Sequence, residues 1–144
     1  MASLELLGFD SLDDVFKQIA DVPFSVTEDA LDAMSEVAMN KTQSTGRSMN
    51  IMDPDSDVHF LDKMRRGKAK KTTFGGKEYI TFSGSRLRNG TKTTNSAIAF
   101  EQEYGKRGVP ARPFMQRAIN QNLDTIYEPG ENILAEWIEK EWTR

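Results

Sequence analysis

Alternating aspartates are the first residues of this chain whose spacing suggests a chemical role. Asp53, Asp55 and Asp57 follow the pattern with which a calcium-binding loop begins. Such a loop needs glycine at its sixth position and glutamate at its twelfth, where this chain has Val58 and Met64. The pattern therefore indicates a solvated acidic loop, and we expect no calcium site.

The remaining titratable residues give little support for catalysis. His59 is the only histidine and there is no cysteine, so a zinc site and thiolate chemistry are both disfavoured. The chain has no nucleophile elbow, no phosphate-binding loop and no dinucleotide fingerprint. We therefore expect no enzyme activity, no catalytic, cofactor-binding or metal-binding residues, and no cofactor. A hydrolase of unrecognised type is the enzymatic alternative.

Length and composition favour one domain over residues 1–144. The chain is 38% hydrophobic, which is enough for a modest core, and it has no apolar run as long as a membrane span. Its acidic N-terminal segment does not resemble a signal peptide, and the absence of cysteine suits a reducing cytoplasm.

Charge is distributed unevenly along the chain. Residues 1–62 contain 13 acidic and 3 basic side chains, whereas residues 63–92 contain 10 basic and 1 acidic side chains. Such polarity is compatible with nucleic acid bound at the basic segment. It is equally compatible with contacts between copies of the chain or with unlike protein partners.

The first half of the chain reads as two helices followed by a loop. Ser11 is placed to cap a short helix, and a second helix is predicted to begin at Thr27 and to stop at Gly46. Residues 52–71 lack any period and change abruptly from acidic to basic, so we expect a mobile loop there.

Asn89-Gly90 predicts a tight β-hairpin turn. A two-residue turn at this point would pair Tyr79 with Phe100, giving a long hairpin with an apolar base. Its tip would be charged, with Arg86, Arg88 and Lys92 as possible contact residues.

Two helices are predicted after the hairpin. The first should begin at Pro113 and break at Pro129-Gly130, and the second should run from Glu131 to about Trp142. The fold class is thus α+β: a small antiparallel sheet with a long β-hairpin packed against about three to four helices.

The segment AFEQEYGKRGVPARPFMQRAI resembles a signature of the tail-completion proteins of long-tailed bacteriophages and prophages, also called head–tail joining or neck proteins. Thr45-Gly46-Arg47 is similar to a second element of that family, whereas Lys106 and Ser48 depart from its usual residues. The signature residues, which are also possible interface residues, are Tyr104, Gly105, Pro110, Ala111, Arg112, Pro113 and Phe114.

The resemblance implies a non-enzymatic structural protein of the virion, which forms an oligomeric ring between head connector and tail. Its implied partners are other copies of itself, a head-closure or connector protein, and a tail tube or tail terminator protein. DNA would be met only in passing, and no membrane is involved. The implied location is the head–tail junction, with assembly in the host cytoplasm. The alternative is a nucleic-acid-binding module using the basic segment 63–92.

Two residues of the signature have more than one interpretation. Arg112 could lie at an interface between subunits, or it could bind a carboxylate or backbone carbonyls within one subunit. Phe114 is expected to fill the core. The rigid prolines would hold both side chains in fixed directions.

Overall fold

The computed structural model describes residues 22–73 and 75–143. The helix expected after Ser11 lies outside these residues. The described helices are α1 (Phe24–Ser48), α2 (Asn95–Tyr104), α3 (Phe114–Gln121) and α4 (Leu123–Trp142). The described strands are β1 (Met64–Arg66), β2 (Lys70–Thr72), β3 (Gly75–Lys77), β4 (Ile80–Phe82), β5 (Ser85–Arg88) and β6 (Thr91–Thr94).

The described strands form three antiparallel pairs, β1 with β4, β2 with β3, and β5 with β6. Helices α3 and α4 pack on the long helix α1, while α2 packs on β4 and β6. The predicted α+β class is therefore confirmed, with small antiparallel sheets packed against helices.

Helix α1 continues past the glycine that was expected to end it. Gly46 is buried inside the helix, which ends only at Ser48. A Cβ atom at Gly46 would lie 2.8 Å from Cδ1 of Leu61, so the glycine allows the following segment to pack directly on the helix. The prediction of a stop at Gly46 was wrong because close packing, not chain reversal, requires the glycine.

The segment expected to be a loop contains regular structure. A 3-10 turn spans Phe60–Lys63, and strands β1 and β2 follow it. Phe60 and Leu61 are fully buried, and they anchor the segment in the core. An aperiodic sequence concealed these elements because each is too short to show a repeat. The mobility of residues 52–71 stays a prediction.

The hairpin at Asn89-Gly90 has the predicted register but is shorter than predicted. Arg86 pairs with Thr93, and both turn residues have the positive φ of a primed turn. The expected pairing of Tyr79 with Phe100 is wrong, because residues 95–104 form helix α2.

Two local features explain why a helix replaces the returning strand. Thr94 caps α2 by accepting a hydrogen bond from the backbone N–H of Ala97 at 3.1 Å. The sequence that follows is rich in alanine and glutamate, which favour helix. Strand β4 pairs instead with β1, where Met64 lies opposite Phe82.

The last two helices divide at a different residue from the one predicted. The break falls at Asn122, whose side-chain amide donates to the backbone carbonyl of Ala118 at 2.8 Å. Pro129 lies inside α4, and Gly130 is buried against Met34 of α1. The predicted break at Pro129-Gly130 was wrong because packing on α1 holds the helix together across the proline.

The core lies between the end of α1, the 3-10 turn, α2 and α3. Phe60, Phe82 and Phe114 form a triangle of rings with centroids 5.8 to 6.3 Å apart. The surrounding apolar side chains are Ile51, Leu61, Ile98 and Ala99.

In residues 22–73 and 75–143, no helix combines the length and apolarity that a membrane crossing needs.

Candidate interaction surfaces

The connection between α2 and α3 contains the signature residues. Glu103, in the last turn of α2, binds the beginning of α3, where this connection ends. Glu103 is buried, and its carboxylate accepts backbone hydrogen bonds from Met115 at 2.8 Å and from Gln116 at 3.0 Å. These N–H groups belong to the first turn of α3, which has no internal partners for them. The carboxylate therefore caps α3 from the last turn of α2, and it fixes the angle between the two helices.

Gly105 makes the turn out of α2 possible. Its φ is 76°, and a Cβ atom there would lie 2.8 Å from the backbone nitrogen of Ala111. Lys106 and Val109 then exchange two backbone hydrogen bonds and close a small turn. The chain thus folds back against itself immediately after the glycine, which leaves no room for another residue type.

Pro113 directs the chain into α3. Its φ of −75° and ψ of 71° fit an inverse γ-turn, and the N–H of Phe114 donates to the carbonyl of Arg112 across it at 2.8 Å. Helix α3 begins at Phe114, one residue after the predicted start. Phe114 has no exposed surface and fills the core, as expected.

Arg112 lies on the surface, where one nitrogen of its guanidinium donates to the carbonyl of Asn50 at 3.3 Å. Pro110 and Ala111 are exposed beside it. One backbone carbonyl occupies only part of the donor capacity of a guanidinium. The arrangement is therefore compatible with both interpretations of Arg112, an internal bond and a contact with a partner.

Tyr104 of the signature is exposed together with a second aromatic residue. Its ring packs against that of Phe100, with centroids 4.6 Å apart, on the solvent side of α2. Both side chains are more than half exposed. Paired aromatic rings of this kind are frequent in protein interfaces.

Arg86 differs from the exposed tip residue that the sequence suggested. Its guanidinium binds both carboxylate oxygens of Asp53, at 2.5 and 2.8 Å, and it also donates to the side-chain oxygen of Asn95. Only 8% of the Arg86 side chain and 5% of the Asp53 side chain are exposed. Arg86 is thus a buried link between the hairpin and the acidic segment, and the expectation that it lies free at the tip is wrong.

The environment of Asp53 favours its ionised form. Burial alone would raise the pKa of Asp53, but the hydrogen bonds from Arg86 and from the N–H of Phe60 outweigh it and hold the pKa below its ordinary value. This aspartate, which the sequence suggested as a solvated loop residue, therefore serves as an internal counter-charge.

The other two residues of the expected charged tip differ from each other. Arg88 binds Glu101 of α2 at 2.8 Å, and Lys106 binds the same carboxylate. The hydrogen bonds from Lys106 and Arg88 lower the pKa of Glu101. Lys92 is exposed, and among the described residues it has no ion pair. Of the three, Lys92 is the one that remains available for an external charged contact.

A basic surface lies on the hairpin of β2 and β3. We call it the basic ribbon and define it as these two strands together with Lys68 and Tyr79. Lys70 lies directly opposite Lys77, so both side chains project from the same face. Tyr79 is 58% exposed, and its ring centroid is 5.4 Å from Nζ of Lys77.

The sequence reasoning missed the role of Tyr79 because it assigned this residue to the base of the long hairpin. A signal was present, since Lys77 and Tyr79 are two positions apart in an extended segment and therefore share a face. The run Lys63–Lys71 itself contains no aromatic residue, and the fold brings Tyr79 to its side from outside the run.

The inner face of the basic ribbon rests on α1. A Cβ atom at Gly76 would lie 3.0 Å from Cδ1 of Leu31. Glu78 turns to the same side, where it accepts a hydrogen bond from the hydroxyl of Ser35 at 3.0 Å. Burial and the neighbouring Asp32 raise the pKa of Glu78.

Exposed acidic side chains are concentrated on helices α1 and α4. Helix α1 carries exposed carboxylates in its first half and α4 carries them along most of its length, whereas the exposed side chains of β1, β2 and β3 are mostly basic. The exposed acidic residues of these two helices are Glu28, Asp29, Glu36, Asp124, Glu128, Glu131, Glu136 and Glu139. The described residues thus include a basic surface on the strands and acidic surfaces on helices α1 and α4.

His59 has a local structural role. Its Nδ1 accepts from the N–H of Leu61 at 3.2 Å, and its Nε2 lies 2.8 Å from the carbonyl of Ile51. Both ring nitrogens are therefore in hydrogen-bond contact with backbone groups around the 3-10 turn.

Within residues 22–73 and 75–143, no three histidine, cysteine or carboxylate side chains are grouped so that they could hold a metal ion.

Comparisons of the chain with protein-family models, with curated proteins and with solved structures find no match.

Proposed function

We propose that the chain is a non-enzymatic structural protein of a bacteriophage or prophage virion, which joins head and tail by assembling as a ring between the head connector and the tail. The proposal starts from the resemblance of residues 97–119 to the tail-completion signature. The structure supplies physical reasons for the signature residues, and the charged surfaces supply a means of assembly.

The observation that carries the proposal is the construction of the connection between α2 and α3. Gly105 is required by its backbone angle and close contact, Pro113 sets the inverse γ-turn, and Phe114 fills the core. Arg112, by contrast, makes one long bond and is exposed to solvent. A signature that combines rigid support with one exposed arginine fits a surface held ready for a partner.

The two surfaces of opposite charge support assembly from identical copies. In a ring, the basic surface of one copy can face the acidic helices of its neighbour, which is a heterologous contact that closes by rotation. If the ring lies between two unlike partners, the separation of basic and acidic surfaces would also determine which side of the ring faces which partner. The partners of the proposed ring are the head-closure or connector protein on one side and the tail tube or tail terminator protein on the other.

The proposed function is tested by producing particles without this protein. We expect electron micrographs of separate full heads and separate tails, with joined particles restored when the protein is supplied in trans. Joined, infectious particles formed in its absence would contradict the proposal.

Arg112 provides a sharper test within the same assay. Arg112→Ala should fold normally but restore few joined particles, because the substitution removes a surface contact. Arg107→Ala is the matched control, since Arg107 is exposed on the adjacent turn and is not one of the signature residues. If both variants restore joining equally, Arg112 has no interface role.

A further inference from the structure

The outer face of the basic ribbon concentrates positive charge without any acidic partner in the described part of the chain. Lys70 and Lys77 face each other directly across the two strands, an arrangement that disfavours the hairpin by itself. The ion pairs of residues 22–73 and 75–143 involve neither of them. Their repulsion would be relieved by an anion bound between them.

The acid closest in sequence does not supply that anion. Glu78 lies between Lys77 and Tyr79, but its side chain turns toward α1 and bonds to Ser35. Arg66 also reaches back to α1, where it donates to the carbonyl of Asp32 at 2.8 Å. Among the described residues, the outer face therefore presents lysines together with the ring of Tyr79.

Tyr79 adds a second kind of contact to this face. Its ring is 58% exposed and is in cation–π contact with Lys77, which holds ring and charge side by side. The backbone carbonyl of Tyr79 accepts from the N–H of Gly67 at 2.8 Å, so the residue is tied to the base of the ribbon. An exposed ring beside a lysine combines the two contacts that bind unpaired nucleotides: stacking on the base and attraction of the phosphate.

We infer that the outer face of the basic ribbon binds single-stranded nucleic acid, with Tyr79 stacking on a base and with Lys70 and Lys77 contacting the adjacent phosphates. Single strands fit better than a duplex because a paired base does not present its face to a side chain. They also fit better than an acidic protein surface, which would use the lysines but not the ring. This inference is independent of the proposed role in joining heads to tails.

The test is fluorescence anisotropy of a labelled oligothymidylate titrated with the purified full chain at low salt. We expect Tyr79→Ala to raise the Kd roughly 5- to 150-fold, the range that removal of one stacked base produces. Tyr79→Phe should keep most of the affinity because it keeps the ring. Tyr127→Ala is the matched control, since Tyr127 is half exposed on the acidic surface of α4.

The lysines are tested through the salt dependence of the same titration. Lys70→Gln combined with Lys77→Gln should make the slope of log K against log salt shallower by about 0.7 for each phosphate that the variant no longer neutralises. Lys92→Gln, an exposed lysine outside the ribbon, should leave the slope unchanged. Circular dichroism of each variant checks that the fold is intact.

Four outcomes would overturn the inference. The first is the absence of binding by the wild-type chain at low salt. The second is an equal loss of affinity in Tyr79→Ala and Tyr127→Ala. The third is tighter binding of a duplex than of the single strand of the same length. The fourth is complete displacement of the oligothymidylate by polyglutamate added at an equal concentration of negative charge. The last two would mean that charge alone accounts for binding. Because the assay uses the isolated protein, its result does not depend on whether heads and tails require the chain.

Discussion

Arg86 and Asp53 are 33 positions apart in the chain, yet their side chains form a two-point ion pair that is almost fully buried. The pair ties the β5–β6 hairpin to the segment that follows α1. Asn95 completes the arrangement by accepting two hydrogen bonds from the same guanidinium. The contact therefore joins a hairpin, a loop and the start of α2 at one point.

Removing Arg86 should destabilise the protein strongly. Arg86→Ala leaves the Asp53 carboxylate buried without its partner, and loss of one member of a buried pair costs about 3–5 kcal/mol. Chemical denaturation should detect this loss as a lower midpoint. Lys92→Ala is the control on the same hairpin and should change stability by less than about 0.5 kcal/mol because its side chain is exposed. Equal stability of the two variants would contradict the importance of the buried pair.

The same pair changes the design of a charge-reversal experiment. Reversing all three residues expected at the hairpin tip, Arg86, Arg88 and Lys92, would destabilise the subunit, because reversal of Arg86 would place two acids side by side in a buried site. Only reversal of exposed residues can test assembly without unfolding the subunit. Lys92→Glu satisfies that requirement at the hairpin tip.

Gly105 and Gly108 offer a matched pair for testing the signature connection. Both have positive φ, at 76° and 81°, but only a Cβ atom at Gly105 would meet other atoms. Gly108→Ala should cost about 1 kcal/mol for the backbone conformation alone. Gly105→Ala adds contacts with backbone atoms of Val109 and Ala111, and the ψ of 173° at Gly105 lies in a region that is essentially restricted to glycine, so we expect a cost larger by about 1–3 kcal/mol. Thermal unfolding of both variants measures the difference, and equal losses would mean that the close contact relaxes freely.

Glu103 should be needed for the start of α3. Glu103→Ala leaves two N–H groups of the first turn of α3 without their acceptor and should cost about 0.5–2 kcal/mol, the range for loss of a helix cap. Glu103→Gln keeps one acceptor oxygen and should lose less. Amide hydrogen exchange at Met115 and Gln116 should accelerate in the alanine variant before exchange in α1 changes. Unchanged protection at these two amides would show that the cap contributes little.

Glu78 is expected to reduce stability at neutral pH. Its oxygen Oε2 is buried without a hydrogen-bond partner in the described residues, and its contact with Asp32 becomes a hydrogen bond only when one of the two carboxyls is protonated. Because the folded-state pKa of Glu78 is raised, its stabilising contribution is complete below the unfolded pKa and is lost as the pH rises through the folded pKa.

Glu78→Gln should therefore be more stable than the wild type at neutral pH, by about 0.5–1.5 kcal/mol, the range of one net hydrogen bond. The advantage should shrink as the pH falls to the ordinary pKa of a glutamate. Glu36→Gln, at an exposed position on α1, is the control and should be close to neutral. The measurement is a series of denaturation curves between acidic and neutral pH. The prediction is contradicted if Glu78→Gln and Glu36→Gln show the same change in stability relative to the wild type at every pH.

Local chemistry in the sequence was sufficient to predict several parts of the fold. Asn89-Gly90 specifies its turn because both residues tolerate positive φ, and the register of β5 and β6 follows from that turn. The α+β class and the C-terminal end of α4 also followed from patterns within single elements. The signature around Arg112 was visible in the sequence because turn chemistry requires particular residues at fixed positions.

Tertiary structure decided the features that depend on a partner distant in the chain. Residues 97–100 are apolar enough for a strand or a helix, and the choice was made by the Thr94 cap and by the pairing of β4 with β1 instead. Pro129 and Gly46 looked like helix ends, yet packing against other elements keeps both inside helices. Arg86 looked like a surface charge until the fold placed Asp53 beside it. A sequence states which residues tolerate a turn or a cap, but the burial of a charge depends on which distant segment covers it.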